Sequence, residues 1–155
     1  AEPQAVAASN SLRKMARGWA KRANVHAART AELDQLVSLA EATFISRSRV
    51  RDLKAIDQGS FGQIYSATLD MSPVAVKEFT TQNGSSVLAS KMREILLELT
   101  ILVRLRHPNI VTFWGTSTEF PQSEEPYMGF VFELCDKGSL YKMLHSPSNP
   151  RLTPK

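Results

Sequence analysis

The sequence predicts an α+β fold: a five-stranded antiparallel sheet with one packed helix, preceded by a helical flank. Three observations predict it. Between Val50 and Phe79, short apolar runs are separated by turn residues, as in consecutive hairpin strands. From Leu88 to Val103, apolar residues recur at three- and four-residue steps. Beyond His107-Pro108, two further runs carry strand-forming residues.

The elements follow in order. In the flank, Leu12, Met15, Ala16, Trp19 and Ala23 are spaced helically, and Leu33, Leu36, Val37, Ala40 and Phe44 repeat the phase. Asn10 or Ser11 is a candidate N-cap. The pattern changes near Ile45. Val50–Ile56, Gly62–Leu69 and Val74–Phe79 are the first three expected strands, with the Asp70–Pro73 stretch as the turn between the last two. Asn83-Gly84 marks the turn before the long helix, whose stripe is Leu88, Met92, Ile95, Leu96, Leu99, Leu102 and Val103. Ile110–Trp114 and Met128–Phe132 are the remaining strands. The polar, acidic stretch Ser117–Pro126 reads as a surface loop, and Ser139–Leu144 as a short helix. Two units result: a basic helical flank over residues 1–47 and a sheet-and-helix unit over residues 48–155.

Composition narrows the function classes. Hydrophobic residues at 43% and charged residues at 22% are ordinary globular values and exclude a chain disordered throughout. No run of about 18 apolar residues exists, so no transmembrane helix is expected. Cys135 is the single cysteine, so no internal disulfide can form, which fits a cytoplasmic, intracellular setting. The net charge of +4 is concentrated: residues 11–30 hold Arg13, Lys14, Arg17, Lys21, Arg22 and Arg29 with no acid. Such a stretch is either a solvated helix face or a contact for an anionic surface. Residues 11–44 are therefore a candidate for contact with a membrane surface or a partner helix, beside the plainer reading that the helix packs on its own domain.

Three features carry the chemistry. Ile56-Asp57-Gln58-Gly59-Ser60-Phe61-Gly62-Gln63-Ile64 places two glycines in a hairpin turn, where the missing Cβ atoms let backbone amides approach phosphate oxygens. In Val74-Ala75-Val76-Lys77, strand alternation sends Ala75 and Lys77 to one face. A lysine on an inward face is costly unless an anion meets it. The long helix supplies two candidate counter-charges, Glu94 and Glu98. A dinucleotide-binding turn is disfavoured, because that motif runs from glycines into a helix and here Gln63-Ile64-Tyr65-Ser66-Ala67 continues as a strand.

Over residues 48–145 this order of elements resembles the N-terminal lobe of eukaryotic protein kinases. Gln58 to Tyr65 looks like the glycine-rich loop and Val74 to Lys77 like the third-strand lysine motif. Arg104-Leu105-Arg106-His107-Pro108-Asn109-Ile110-Val111 is similar to the helix-to-strand connection, and the family's usual separation from His107 selects Glu98 over Glu94. Val131-Phe132-Glu133-Leu134-Cys135 resembles the fifth strand and hinge, and Gly138-Ser139-Leu140-Tyr141 the start of the next helix. The set is most like the tyrosine-kinase-like serine/threonine kinases, the Raf-like and mixed-lineage branch. Tyrosine kinases share much of it.

The resemblance implies ATP as the ligand and a protein, not a nucleic acid, as the other substrate. It implies that Ile56, Ile64 and Ala75 roof the adenine, that Phe132 stands at the back, and that the backbones of Glu133 and Cys135 meet the adenine edge. The amides of Ser60, Phe61 and Gly62, within the loop that Asp57, Gln58, Gly59 and Gln63 complete, would cover the phosphates, with Lys77 on the α- and β-phosphates and Glu98 holding it. Two departures stand out. Asp57 occupies the place of the family's first loop glycine and adds a negative charge, which gives a pseudokinase reading its footing. The His-Arg-Asp loop, its asparagine and the Asp-Phe-Gly metal site do not occur in these residues. Magnesium is therefore expected for the parent enzyme, with ligands outside this sequence and no metal ligand within it. The resemblance further implies that the parent continues beyond Lys155 and that this piece does not phosphorylate by itself.

Overall fold

The structure is a computed structural model that describes residues 10, 27–59, 62–79, 85–119 and 127–145. Helix α1 covers Ala27–Ala42, and a three-residue strand β1, Phe44–Ser46, follows. A single 3-10 turn over Arg47–Arg49 leads into β2 (Val50–Gly59), β3 (Gly62–Leu69) and β4 (Ser72–Glu78). Helix α2 (Ser85–Leu102), β5 (Phe113–Glu119), β6 (Tyr127–Glu133) and helix α3 (Leu140–His145) complete the chain. The strands form one sheet in the order β1-β5-β6-β4-β3-β2.

The five antiparallel strands expected from the sequence are present, and a sixth extends the sheet. β1 lies parallel to β5, pairing Phe44 with Thr116, Ile45 with Ser117 and Ser46 with Thr118. Phe44, which the helical spacing had included in the flank, belongs to this strand. Three residues carry too little periodicity to be legible in sequence. What admits β1 is Gly115: a Cβ there would stand 2.3 Å from the Thr43 carbonyl oxygen, which instead accepts the Thr116 amide at 2.8 Å.

The fifth strand starts later than its apolar run suggests. Residues 107–110 are a turn in which the Ile110 amide reaches the His107 carbonyl at 3.0 Å and the Asn109 amide reaches His107 Nδ1 at 3.1 Å. The ladder then runs through Glu119, so Ser117, expected in a loop, is a fully buried strand residue. Coverage by β1 and α1 explains why polar Thr116 and Ser117 are buried there. Residues 120–126 of the expected loop lie outside the described residues, as does the first helical set, Leu12 to Ala23.

Strand alternation divides the core in two. Val74, Val76 and Val131 turn to one face, where they pack with Ile45, Val50, Ala67 and Leu69. Phe79, Met128 and Phe130 turn to the other and meet Ile95, Leu96 and Leu99 of α2. That second cluster also contains Leu36, Val37 and Ala40 of α1, so the flanking helix packs against the back of α2. Between β3 and β4, Asp70 and Met71 both take positive φ, 45° and 71°, as a two-residue hairpin turn of that hand requires. Arg49 pairs with the Asp70 carboxylate and holds it below its usual range.

Candidate functional site

The face of β4 that carries Phe79 into the core also carries Ala75 and Lys77. Register continues this logic across the sheet: Lys77 is the partner of Phe130 and Ala75 that of Phe132. This face opens into a cleft of about 740 Å³ lined from β2, β3, β4 and the end of β6. Its size falls within the range of small-ligand sites, about 300–1,000 Å³. Ile56, Ile64, Ala75 and Phe132 supply apolar walls, and Glu133 at the end of β6 and Cys135 just beyond it also line the cleft.

At the inner end of the cleft, Lys77 Nζ donates to both carboxylate oxygens of Glu98, at 2.7 and 2.8 Å. The two side chains are only 22% and 32% exposed, so the pair is partly shielded from water. Lys77 Nζ also stands 5.4 Å from the Phe79 ring centroid. Glu98 is placed by the burial of its helical neighbours: Ile95 at 2% exposure and Leu99 at 0% fix which face of α2 turns to the sheet. Glu94, the rival acid, is exposed. Phe132 is held by edge-on ring contacts, Phe113 to Phe132 at 5.6 Å, Phe113 to Phe130 at 5.7 Å and Phe130 to Phe79 at 4.7 Å.

The hairpin above the cleft pairs Asp57 with Ile64, Gln58 with Gln63 and Gly59 with Gly62. A register shift between Ala55 and Asp57 leaves Ile56 as the bulged residue. The Gln63 side-chain amide donates to the Asp57 carbonyl at 2.6 Å and fixes the root of the hairpin. Gln58, Gly62 and Gln63 are not among the cleft's lining residues; Ser60 and Phe61 lie outside the described residues. On the far side, the Glu133 amide is committed to the Thr112 carbonyl at 3.0 Å. The Gly138 amide donates to the Cys135 carbonyl at 3.1 Å and closes the turn into α3.

One site residue escaped sequence reasoning. Lys142, on α3, reaches back across the opening and its Nζ lies 2.9 Å from Asp57 Oδ2. Ser139 Oγ caps the Lys142 amide at 3.2 Å. Only charge complementarity between two residues 85 apart pointed to this contact. Hydrogen bonding from Lys142, and then from the Gln58 amide, holds the Asp57 carboxyl below its usual range.

A mixed six-stranded sheet, one helix presenting a glutamate to a sheet lysine, and a glycine hairpin over an apolar cleft form the small lobe of the protein kinase fold. The chain belongs to the protein tyrosine and serine/threonine kinase family, whose family model matches residues 50–155. It is 36% identical over 94 residues to the Probable serine/threonine-protein kinase SIS8 of Arabidopsis thaliana, covering 61% of this chain and 8% of that protein. It is 41% identical over 90 residues to the serine/threonine-protein kinase CTR1 of the same organism, covering 58% of this chain and 10% of that protein. A third relative, the Probable serine/threonine-protein kinase drkB of Dictyostelium discoideum, is 32% identical over 91 residues, covering 59% of this chain and 12% of that protein. The chain thus spans roughly a tenth of the length of these relatives. The family in general uses ATP with magnesium and acts on proteins. Among the described residues, no three His, Cys, Asp or Glu side chains stand together as a metal site, and no helix is long and apolar enough to cross a membrane.

Proposed function

We propose that this chain forms the ATP-binding lobe of an intracellular protein kinase that passes the γ-phosphate to serine or threonine hydroxyls of a protein. The observation that carries the reading is the Lys77–Glu98 pair at the inner end of the apolar cleft. An ammonium group fixed by two charge-assisted hydrogen bonds is a preorganised partner for phosphate oxygens. In this reading Ile56, Ile64, Ala75 and Phe132 enclose the adenine, and Lys77 meets the α- and β-phosphates while Glu98 orients it. Because the Glu133 amide is already engaged, adenine recognition at that residue falls to its carbonyl, with Cys135 offering its amide. Gln58, Gly59, Ser60, Phe61, Gly62 and Gln63 form the loop over the phosphates. Phosphoryl transfer depends on positioning and charge stabilisation, and this lobe supplies the first. No magnesium ligand and no catalytic base is assigned within it.

The serine/threonine choice is supported by the named relatives, all serine/threonine-protein kinases. A pseudokinase, the second reading, rests on Asp57 alone. Intracellular placement is supported by the lone cysteine. The described part of the 11–44 flank, from Ala27, is engaged on the lobe itself, which favours a structural role there over a membrane contact.

The test is Lys77→Met in the full chain. ATP affinity should fall at least about ten-fold, the worth of one strong charge-assisted contact. The melting transition should remain cooperative, because Glu98 is partly exposed and can hydrate once unpaired. Unchanged ATP affinity in a folded Lys77→Met chain would overturn the assignment.

A further inference from the structure

The geometry points to Lys142 as a charge-compensating residue: it neutralises the carboxylate that Asp57 brings to the mouth of the cleft and so keeps that mouth open to an anionic nucleotide. This inference rests on the nucleotide-site reading above and concerns what allows that site to tolerate Asp57.

Asp57 and Lys142 both line the cleft, one from the sheet side and one from the helix beyond β6. Their side chains meet across its opening at 2.9 Å. The carboxylate is held from two directions, since Oδ1 accepts the Gln58 amide at 2.9 Å while Oδ2 accepts Lys142 Nζ. The backbone on each side is anchored too, by Gln63 on the Asp57 carbonyl and by Ser139 on the Lys142 amide.

The charge balance of the cleft shows why this matters. Asp57, Glu133 and Asp136 line it as acids, and Lys77 and Lys142 as bases. Lys77 is already matched by Glu98. Remove Lys142, and three acids on the cleft wall face an incoming polyanion. Both members of the Asp57–Lys142 pair are more than half exposed, at 52% and 59%, so the pair contributes little to folding. Its effect falls on ligands within a screening length of the mouth, about 8 Å at physiological salt.

The test is a double-mutant cycle in the full chain, with ATP and uncharged adenosine as probes at low and high salt. Lys142→Met should weaken ATP binding about three- to ten-fold at low salt and much less at high salt. Adenosine affinity should be unchanged. The Asp57→Gly, Lys142→Met double variant, with both charges gone, should bind ATP about as well as wild type. A double variant as weak as Lys142→Met alone would mean that Lys142 touches the nucleotide directly and would overturn compensation, as would equal losses for ATP and adenosine. A ligand-free measurement separates the two proposals: Lys142→Met should move the Asp57 carboxyl titration upward, read by carbon NMR. If wild-type chain binds neither adenosine nor ATP, the nucleotide reading falls and compensation falls with it. If both bind and the Asp57 titration stays put, only compensation falls.

Discussion

The Thr116 hydroxyl donates to the Ala40 carbonyl at 2.8 Å, and both residues are completely buried. The same oxygen lies 3.2 Å from the Thr43 hydroxyl, which donates to the Leu39 carbonyl at 2.9 Å. The end of α1 is thereby joined to the middle of β5 through polar contacts inside an apolar setting. Such contacts are worth most where water cannot replace them.

Thr116→Val removes the hydroxyl while keeping the shape and leaves the Ala40 carbonyl unsatisfied. The expected loss is about 1–3 kcal/mol, the cost of a stranded buried acceptor. Urea unfolding checks it. A midpoint equal to wild type would mean that water reaches this junction.

Gly115→Ala should dislodge β1, because the added Cβ would lie 2.3 Å from the Thr43 carbonyl and 2.9 Å from Ile45 Cδ1. Backbone cannot yield as a flexible side chain does, so a loss of about 1–3 kcal/mol is expected. Hydrogen exchange should show the Thr116 amide losing protection while the β3–β4 amides keep theirs.

Leu36→Ala opens a cavity between α1 and α2 beside Leu96 and Leu99. Leu36 is 4% exposed, so the expected cost is about 2–4 kcal/mol. Because α2 also carries Glu98, ATP affinity should fall by more than the unfolded fraction accounts for. Equal affinity per folded molecule would show that α1 stabilises the lobe without positioning the Lys77–Glu98 pair.

Glu78 gives a pH dependence. Burial raises its carboxyl above the usual range, against the lowering effects of the Tyr65 hydrogen bond and Arg47. A raised folded-state value means that the neutral acid is favoured in the fold. The associated stability is present below the unfolded value, near 4.5, and is lost as pH rises through the folded one. Relative to Glu78→Gln, wild type should therefore be more stable at pH 4 than at pH 7. Urea midpoints for both proteins at each pH give the comparison, and a pH-independent difference would refute it.

Sequence reading recovered the parts whose periodicity is local. The Gly62–Leu69 strand matches its expected bounds, and the α2 stripe places Ile95, Leu96 and Leu99 in the core. The Lys77–Glu98 geometry was approachable because strand alternation limits where a lysine can point, while helical spacing left Glu94 and Glu98 both open and only the family resemblance, counted from His107, selected Glu98. What stayed hidden depends on distant partners. Thr116 and Ser117 look like loop residues until β1 covers them, and β1 is too short to signal itself. Lys142 sits on a six-residue helix whose direction only the three-dimensional turn at Gly138 determines.

The family match begins at Val50, yet α1 and β1, from Ala27 to Ser46, precede it. A chain trimmed to the match would bare the surface that Leu36, Val37 and Ala40 cover, leaving Leu96 and Leu99 beside the already exposed Leu97 and Ile101. Contiguous oily patches of that kind draw molecules together. The short stretch ahead of the family core thus keeps that apolar side of α2 out of reach of other molecules.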